Sequence, residues 1–202
     1  TSPPWHGRGR GPGATTGTRG TRGVRSVDGD IQLDQRFFDD QTTPPAFEQQ
    51  PNEWAPFRAP VSALAVNENT VTLTVRPGAS GASAHYSFDP PGFVDAEGSV
   101  KTSDSGADNV GLALSPNGTR LKAVVSGSIG HDSRLVSYTR RVDDPQLLAG
   151  YVLKHALTQQ GIKVSGDVKL ATGDGAKGTL LAKHESQPLA QLLYALGKQS
   201  DN

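Results

Sequence analysis

The sequence predicts an α+β fold, with strands and turns through most of the chain, an all-β stretch in its middle and two helices in its last third. Three observations point there. The chain is 34% hydrophobic and 6% aromatic, with 24 glycines and 14 prolines, a composition that favours loop-rich, strand-containing structure over a helical bundle. Between residues 78 and 132, short apolar runs alternate with turn clusters at a spacing of roughly 8–12 residues, as in small all-β modules. Apolar residues recur at helical spacing in two later stretches, after Pro145 and after Pro188.

At 202 residues the chain is long enough for one or two ordinary domains. It has no cysteine, which excludes disulfide staples and thiolate metal sites. No apolar run approaches the roughly 20 residues of a membrane span, and the first residues do not read as a signal peptide. The net charge is zero, from 20 basic and 20 acidic residues, but it is unevenly spread. Arg8, Arg10, Arg19, Arg22 and Arg25 face no acid within residues 1–25, leaving the remainder net acidic.

Residues 1–23 contain abundant Gly, Arg, Thr and Pro and no Val, Ile or Leu. Such a stretch cannot bury enough apolar surface to offset its ordering entropy, so disorder is expected. Three readings stand for it. It is a linker, or an RNA-associated tract carried by Gly7, Arg8, Gly9, Arg10 and Gly11. Or it is GC-rich coding sequence translated out of frame, with the true frame resuming near Gly23.

Residues 24–33 read as a turn at Asp28-Gly29 followed by a strand through Ile31 and Leu33. Asp30, Asp34 and Asp39 lie close enough in sequence to suggest a hard cation, but spread over a strand and turn they read as solvated carboxylates. Residues 44–60 form a proline-rich loop carrying Phe47, Trp54 and Phe57. Residues 63–66 and 71–75 read as a hairpin about residues 67–70, with Val71, Leu73 and Val75 on the core face. Further strands are expected at 86–88, 98–102, 110–114 and 121–126, with a tight turn at residues 117–119.

Residues 135–142 are the next strand. Asp143 and Asp144 can cap a helix that Pro145 opens, with an apolar stripe through Leu147, Leu148, Tyr151, Val152, Leu153, Ala156 and Leu157. Gly161 is its expected stop. Residues 162–164 and 168–170 are strands about a turn. Gly173, Gly175 and Gly178 match Gly-x-Gly-x-x-Gly, but a short strand-like run at residues 179–184 follows where a dinucleotide site needs a helix, so this is a loop. The five histidines fall in separate elements, and no metal site is expected. Finally, Ser186 can cap a helix with Pro188 in its first turn and Leu189, Leu192, Leu193 and Leu196 on one face. That helix ends in Lys198, Ser200, Asp201 and Asn202. The Ser-x-Asn spacing alone carries little weight, because Ser115, Pro116 and Asn117 repeat it in what reads as a turn.

The lead-in gives it weight. A serine-proline-leucine start, a leucine-rich helix and then Lys-x-Ser-Asp-Asn resembles the second motif of penicillin-interacting serine peptidases, and specifically the D-alanyl-D-alanine carboxypeptidase/endopeptidase family. The resemblance extends back through Asp144-Pro145, Leu148-Ala149-Gly150-Tyr151, Gly161-Ile162 and Gly166, through residues 124–129, and through Phe57-Arg58-Ala59-Pro60. It reaches Gly29, Asp30, Asp34, Phe38 and Asp39, and so covers residues 24–202. Two family motifs are missing from this chain. No Ser-x-x-Lys is present, and Lys177-Gly178-Thr179 is the wrong order for Lys-Thr-Gly.

The resemblance implies an internal piece of an enzyme whose catalytic domain carries inserts. Residues 24–76 with 133–185 would be a mixed α/β insert, 77–132 a small β-rich insert nested in it, and 186–202 the first helix of the re-entered catalytic domain. It implies a nucleophilic serine attacking a D-Ala-D-Ala carbonyl to form an acyl-enzyme that water hydrolyses. Ser200 would belong to the catalytic proton relay and Asn202 would hydrogen-bond substrate. Phe57 would shape the pocket for the peptide's diamino-acid side chain, with Asn52 standing where the family has an acid and Glu53 beside it. The implied partners are peptidoglycan stem peptides and β-lactams, with no nucleic acid, no membrane span and no cofactor, in the periplasm or cell envelope. Two other readings are a binding module without chemistry and an RNA-associated protein led by the arginine-glycine tract.

Overall fold

The structure is a computed structural model and describes residues 23–47, 53–104, 106–173 and 178–199. The readings made for residues 1–22 lie outside it, as do Asn52, Ser200 and Asn202. In chain order the strands are β1 (Ser26–Val27), β2 (Ile31–Leu33), β3 (Thr70–Arg76), β4 (His85–Asp89), β5 (Val94–Gly98), β6 (Lys101–Ser103), β7 (Asn109–Asn117), β8 (Arg120–Gly130) and β9 (Val136–Arg141). Helix α1 (Pro145–Gln159), β10 (Lys163–Val164), β11 (Val168–Leu170) and helix α2 (Leu189–Gln199) complete the order. Short 3₁₀ turns occupy Pro45–Phe47, Pro56–Arg58 and Asn67–Asn69. The α+β expectation holds: four small sheets and two α-helices among the described residues.

Helix α1 ends as its sequence dictates. Gly161 has φ +78°, and the bonds Gly161 N–H to Thr158 O (2.9 Å) and Ile162 N–H to Leu157 O (2.9 Å) close a Schellman motif. At the other end Pro145 stands in the first turn, but no side chain caps the helix. Asp144 holds the cap position without a capping bond, and Asp143 is drawn off into an ion pair with Arg141.

The helix lies on two parallel strand pairs. β1 pairs with β10 and β2 with β11, in registers Val27–Val164 and Leu33–Leu170. Contact is close because Gly150 faces the sheet: a Cβ there would lie 2.5 Å from Val168 Cγ1 and 2.8 Å from Leu33 Cδ1. Leu33, Val71, Phe93, Leu121, Val142, Leu147, Leu148, Tyr151 and Val168 form this first core.

The second core lies between two sheets. β3 is central to an antiparallel sheet in the order β4-β3-β9, and β8 to a mixed sheet with β5 and β6 along one edge and β7 along the other. Leu73 and Val75 from β3 meet Val125 and Ile129 from β8, with Ala84 and Val100. Leu73 and Ile129 are fully buried, worth about 1.5–3 kcal/mol each. The opposite face of β3 is polar: Thr72 pairs its hydroxyl with Thr139 at 2.9 Å. β4 thus belongs to the same sheet as β3, and residues of both stretches, 24–76 and 77–132, share this core.

Four local expectations are corrected. The hairpin of residues 63–66 with 71–75 does not form, because both edges of β3 are taken by β4 and β9. The Ser62 hydroxyl instead folds residues 62–64 on themselves, accepting from Leu64 N–H at 3.1 Å and donating to its carbonyl at 2.9 Å. Residues 179–184 are not a strand but irregular chain. Ser115 and Asn117 end β7 rather than forming a turn, which falls at Gly118-Thr119 as expected. Helix α2 begins one residue after Pro188, whose carbonyl accepts the first helical bond from Gln191 N–H at 2.8 Å.

Candidate functional site

Of the four residues expected to form a site, Phe57 alone lies among the described ones. It occupies the middle of the Pro56–Arg58 3₁₀ turn and stands 61% exposed. Local geometry dictates that display. Pro56 fixes its own φ at the start of the turn, and the bonds Arg58 N–H to Ala55 O (3.0 Å) and Ala59 N–H to Pro56 O (2.9 Å) close it. The next side chain, Arg58, turns inward to 7% exposure. There its Nη2 donates to the Phe47 carbonyl and its guanidinium sits 4.8 Å from the centre of the Phe47 ring. An inward Arg58 leaves Phe57 facing out.

The segment before the turn is held from β9. Arg141 Nε donates to the Glu53 carbonyl at 2.7 Å, the Arg141 N–H donates to the Trp54 carbonyl at 3.1 Å, and its guanidinium stands 5.2 Å from the Trp54 ring centre. The Glu53 carboxylate accepts the Ala55 N–H at 2.9 Å, so it is committed to its own loop. Sequence reasoning missed both arginines. A signal existed: a tryptophan inside a polar, proline-rich loop needs a partner, and Arg140 and Arg141 interrupt an apolar strand edge.

A second concave region lies at the N-terminal end of α1. A cleft of about 570 Å³ is lined by Leu33, Gln35, Arg36, Phe38, Asp39, Asp40, Asp143, Asp144, Gln146 and Leu170. Arg36 clamps Asp34 through Nε (2.7 Å) and Nη2 (2.6 Å), and this holds the Asp34 carboxyl down to about 2. Asp144 goes the other way. Desolvation at the helix end raises its pKa, aided by Asp143, although the side chain still reaches solvent. Asp30 accepts from Lys169 Nζ (2.6 Å) and from the Asp167 N–H (2.8 Å), which lowers its pKa, with Lys169 the larger cause. Asp30 and Asp34 are thus each paired with a cation. Among the described residues no three of His, Asp or Glu are grouped as metal ligands, and no helix is long and apolar enough to cross a membrane.

Helix α2 presents its leucines to solvent. Leu189, Leu192, Leu193 and Leu196 are 46–68% exposed, and Lys198 Nζ lies 5.6 Å from the Tyr194 ring centre. Four exposed leucines on one short helix are an apolar face without a cover among the described residues.

Residues 19–202 match the sequence profile of the D-Ala-D-Ala carboxypeptidase 3 (S13) family. The D-alanyl-D-alanine carboxypeptidase of Actinomadura sp. (strain R39) is 31% identical over 187 residues, covering 88% of this chain and 34% of that relative. The chain therefore spans about a third of that relative's length. In fold it is similar to the crystal structure of penicillin binding protein 4 from Haemophilus influenzae, with TM-score 0.63 and 23% identity over 89% of this chain and 40% of the other.

Proposed function

We propose, from the premise that this chain belongs to the D-Ala-D-Ala carboxypeptidase 3 (S13) family, that it is part of a serine-type peptidase cleaving D-Ala-D-Ala stem peptides of peptidoglycan. The reaction is acyl transfer: a serine hydroxyl attacks the D-Ala carbonyl, D-Ala leaves as the amine, and water hydrolyses the ester. Neither Ser-x-x-Lys nor Lys-Thr-Gly is present in these 202 residues, so the nucleophile comes from elsewhere in the enzyme. This chain contributes the second motif and the structure before it.

The observation that carries the reading is the join at the chain's end. The family match runs without a break into Lys198, Ser200, Asp201 and Asn202, and the helix delivering them keeps its leucine face in solvent. A face of that kind needs a core, and the remainder of the catalytic domain is the core we assign to it. In the complete site Ser200 relays a proton near the nucleophile and Asn202 hydrogen-bonds the substrate's peptide. Phe57 contacts the diamino-acid side chain. β-Lactams acylate the same serine. Such an enzyme works where peptidoglycan is, in the periplasm or cell envelope.

The test is mass spectrometry after penicillin treatment. The chain by itself is expected to remain unmodified, and the complete enzyme to gain one penicilloyl group. A stoichiometric adduct on this chain alone would overturn the assignment of the nucleophile to another part.

A further inference from the structure

Arg141 closes β9 and is 9% exposed. A guanidinium is buried to that extent only where its donors are met and its charge is matched. Its contacts converge on one short segment. It grips the consecutive carbonyls of Glu53 and Trp54, the first through Nε at 2.7 Å and the second through its own N–H at 3.1 Å. Its guanidinium lies against the Trp54 ring, and its Nη1 binds the Asp143 carboxylate at the start of α1. The Glu53 carboxylate then holds the Ala55 N–H, and the Pro56–Arg58 turn follows at once. Arg58 fixes the far end by burying its own guanidinium against Phe47. Phe57 is the exposed aromatic between two buried arginine anchors.

The inference rests on the reading of Phe57 as the aromatic of the side-chain subsite. We propose that Arg141 is the positioning residue of that subsite, holding the 53–58 segment so that Phe57 stands in place before substrate arrives. An exposed aromatic on a loose loop loses conformational entropy when a ligand orders it; one held in advance does not. Arginine suits the task and lysine does not. The planar fork can serve the Glu53 carbonyl and Asp143 together while its face covers Trp54, whereas an ammonium is a point charge. Phe57 touches a part of the substrate remote from the reacting carbonyl, so its loss weakens ground and transition states alike and appears in KM.

The test uses the complete enzyme and compares Phe57→Ala, Arg141→Lys and Arg141→Ala. The substrates are a D-Ala-D-Ala peptide bearing a diamino acid and the same peptide with alanine in that place. Circular dichroism reports folding, and penicillin acylation reports the nucleophile. Phe57→Ala and Arg141→Lys are each expected to raise KM for the diamino peptide about tenfold, with kcat and the acylation rate within about twofold of the parent. KM for the alanine peptide stays unchanged. Should Arg141→Ala fail to fold, Arg141→Lys carries the comparison. An effect of Phe57→Ala with none from Arg141→Lys overturns the role of Arg141 and leaves the subsite standing. No effect from Phe57→Ala overturns the subsite reading and the proposal with it. An equal loss of kcat and acylation in a folded Arg141 variant overturns it too, since that marks general damage rather than positioning.

Discussion

The hydroxyls of Tyr151 and Thr119 lie 2.6 Å apart, joining the middle of α1 to the turn between β7 and β8. Tyr151 is otherwise buried against Phe93, and Arg120 lies across its ring at 5.2 Å. Tyr151→Phe keeps both ring contacts and removes the hydrogen bond, so a loss of about 0.5–1.5 kcal/mol is expected. A double-mutant cycle with Thr119→Val in urea unfolding checks it. Additive losses would show that the two hydroxyls do not act as a pair.

Two glycines should respond differently to alanine. At Gly127, with φ +96°, a Cβ would stand 1.8 Å from the Asn109 carbonyl oxygen, a backbone atom of the paired strand. At Gly150 the obstructing atoms are methyls of Val168 and Leu33, which can shift by a rotamer. Gly150→Ala should cost about 1–3 kcal/mol from overpacking, partly offset by about 1 kcal/mol of helix propensity. Gly127→Ala should cost more and separate β7 from β8. Melting temperatures and amide exchange along β7 distinguish them, and equal losses would contradict the geometry.

The Asp34 carboxyl, held down to about 2 by Arg36, should rise in Arg36→Ala but stay below its ordinary 3.8, because the residue-36 N–H still donates to it, as read by NMR titration of the carboxyl carbon. A lowered folded pKa gives stability that is present above 3.8 and lost as pH falls towards 2. The parent should therefore lose stability over that window more steeply than the variant.

Asp144 has the opposite sign. Its pKa is raised by desolvation and by Asp143, so its contribution is present below 3.8 and lost as pH rises through the folded value. Asp144→Asn removes that loss and keeps a residue suited to the cap position. The variant should gain on the parent as pH rises from 4 towards neutrality in urea unfolding, and a constant difference would refute the desolvation account.

In the complete enzyme, Ser200→Ala and Asn202→Ala are expected to slow penicillin acylation by about 10²–10⁴ without loss of fold. Ser115→Ala and Asn117→Ala share the spacing but lie at the exposed end of β7, and should leave the rate unchanged. Equal effects in both pairs would mean that the C-terminal motif has been misread.

What could be read from the residues was local. The stripe through Leu147, Leu148 and Tyr151, with Gly161 behind it, marked α1 and its end, alternation marked β3, and an apolar run between turns marked β8. What could not be read was pairing. Nothing near Val71 says that β4 and β9 take both its edges and leave residues 63–66 without a strand to join. Nothing near Val27 or Leu33 points to Val164 and Leu170. At the site, Phe57 was visible as an aromatic in a proline-rich loop, but its support comes from Arg141, 84 residues on, and nothing near Trp54 says which arginine it meets. The acid at 30 looked free because its partner Lys169 lies 139 residues away, whereas Asp34 is clamped by Arg36 only two residues on.

The parallel pairing of β1 with β10 and β2 with β11 sets a timetable for synthesis. Asp30 meets Lys169 across 139 residues of chain, so β1 and β2 have no partner until β10 and β11 have been made. β7 and β8 form a hairpin with a two-residue turn and can pair as soon as they emerge. The β7–β8 hairpin can thus take shape while β1 and β2 wait. Such long closures fold slowly and leave strand edges open meanwhile. The first strands are only two and three residues long and are flanked by Arg25, Asp28, Asp30 and Asp34, so they offer little edge for another chain to join during that delay.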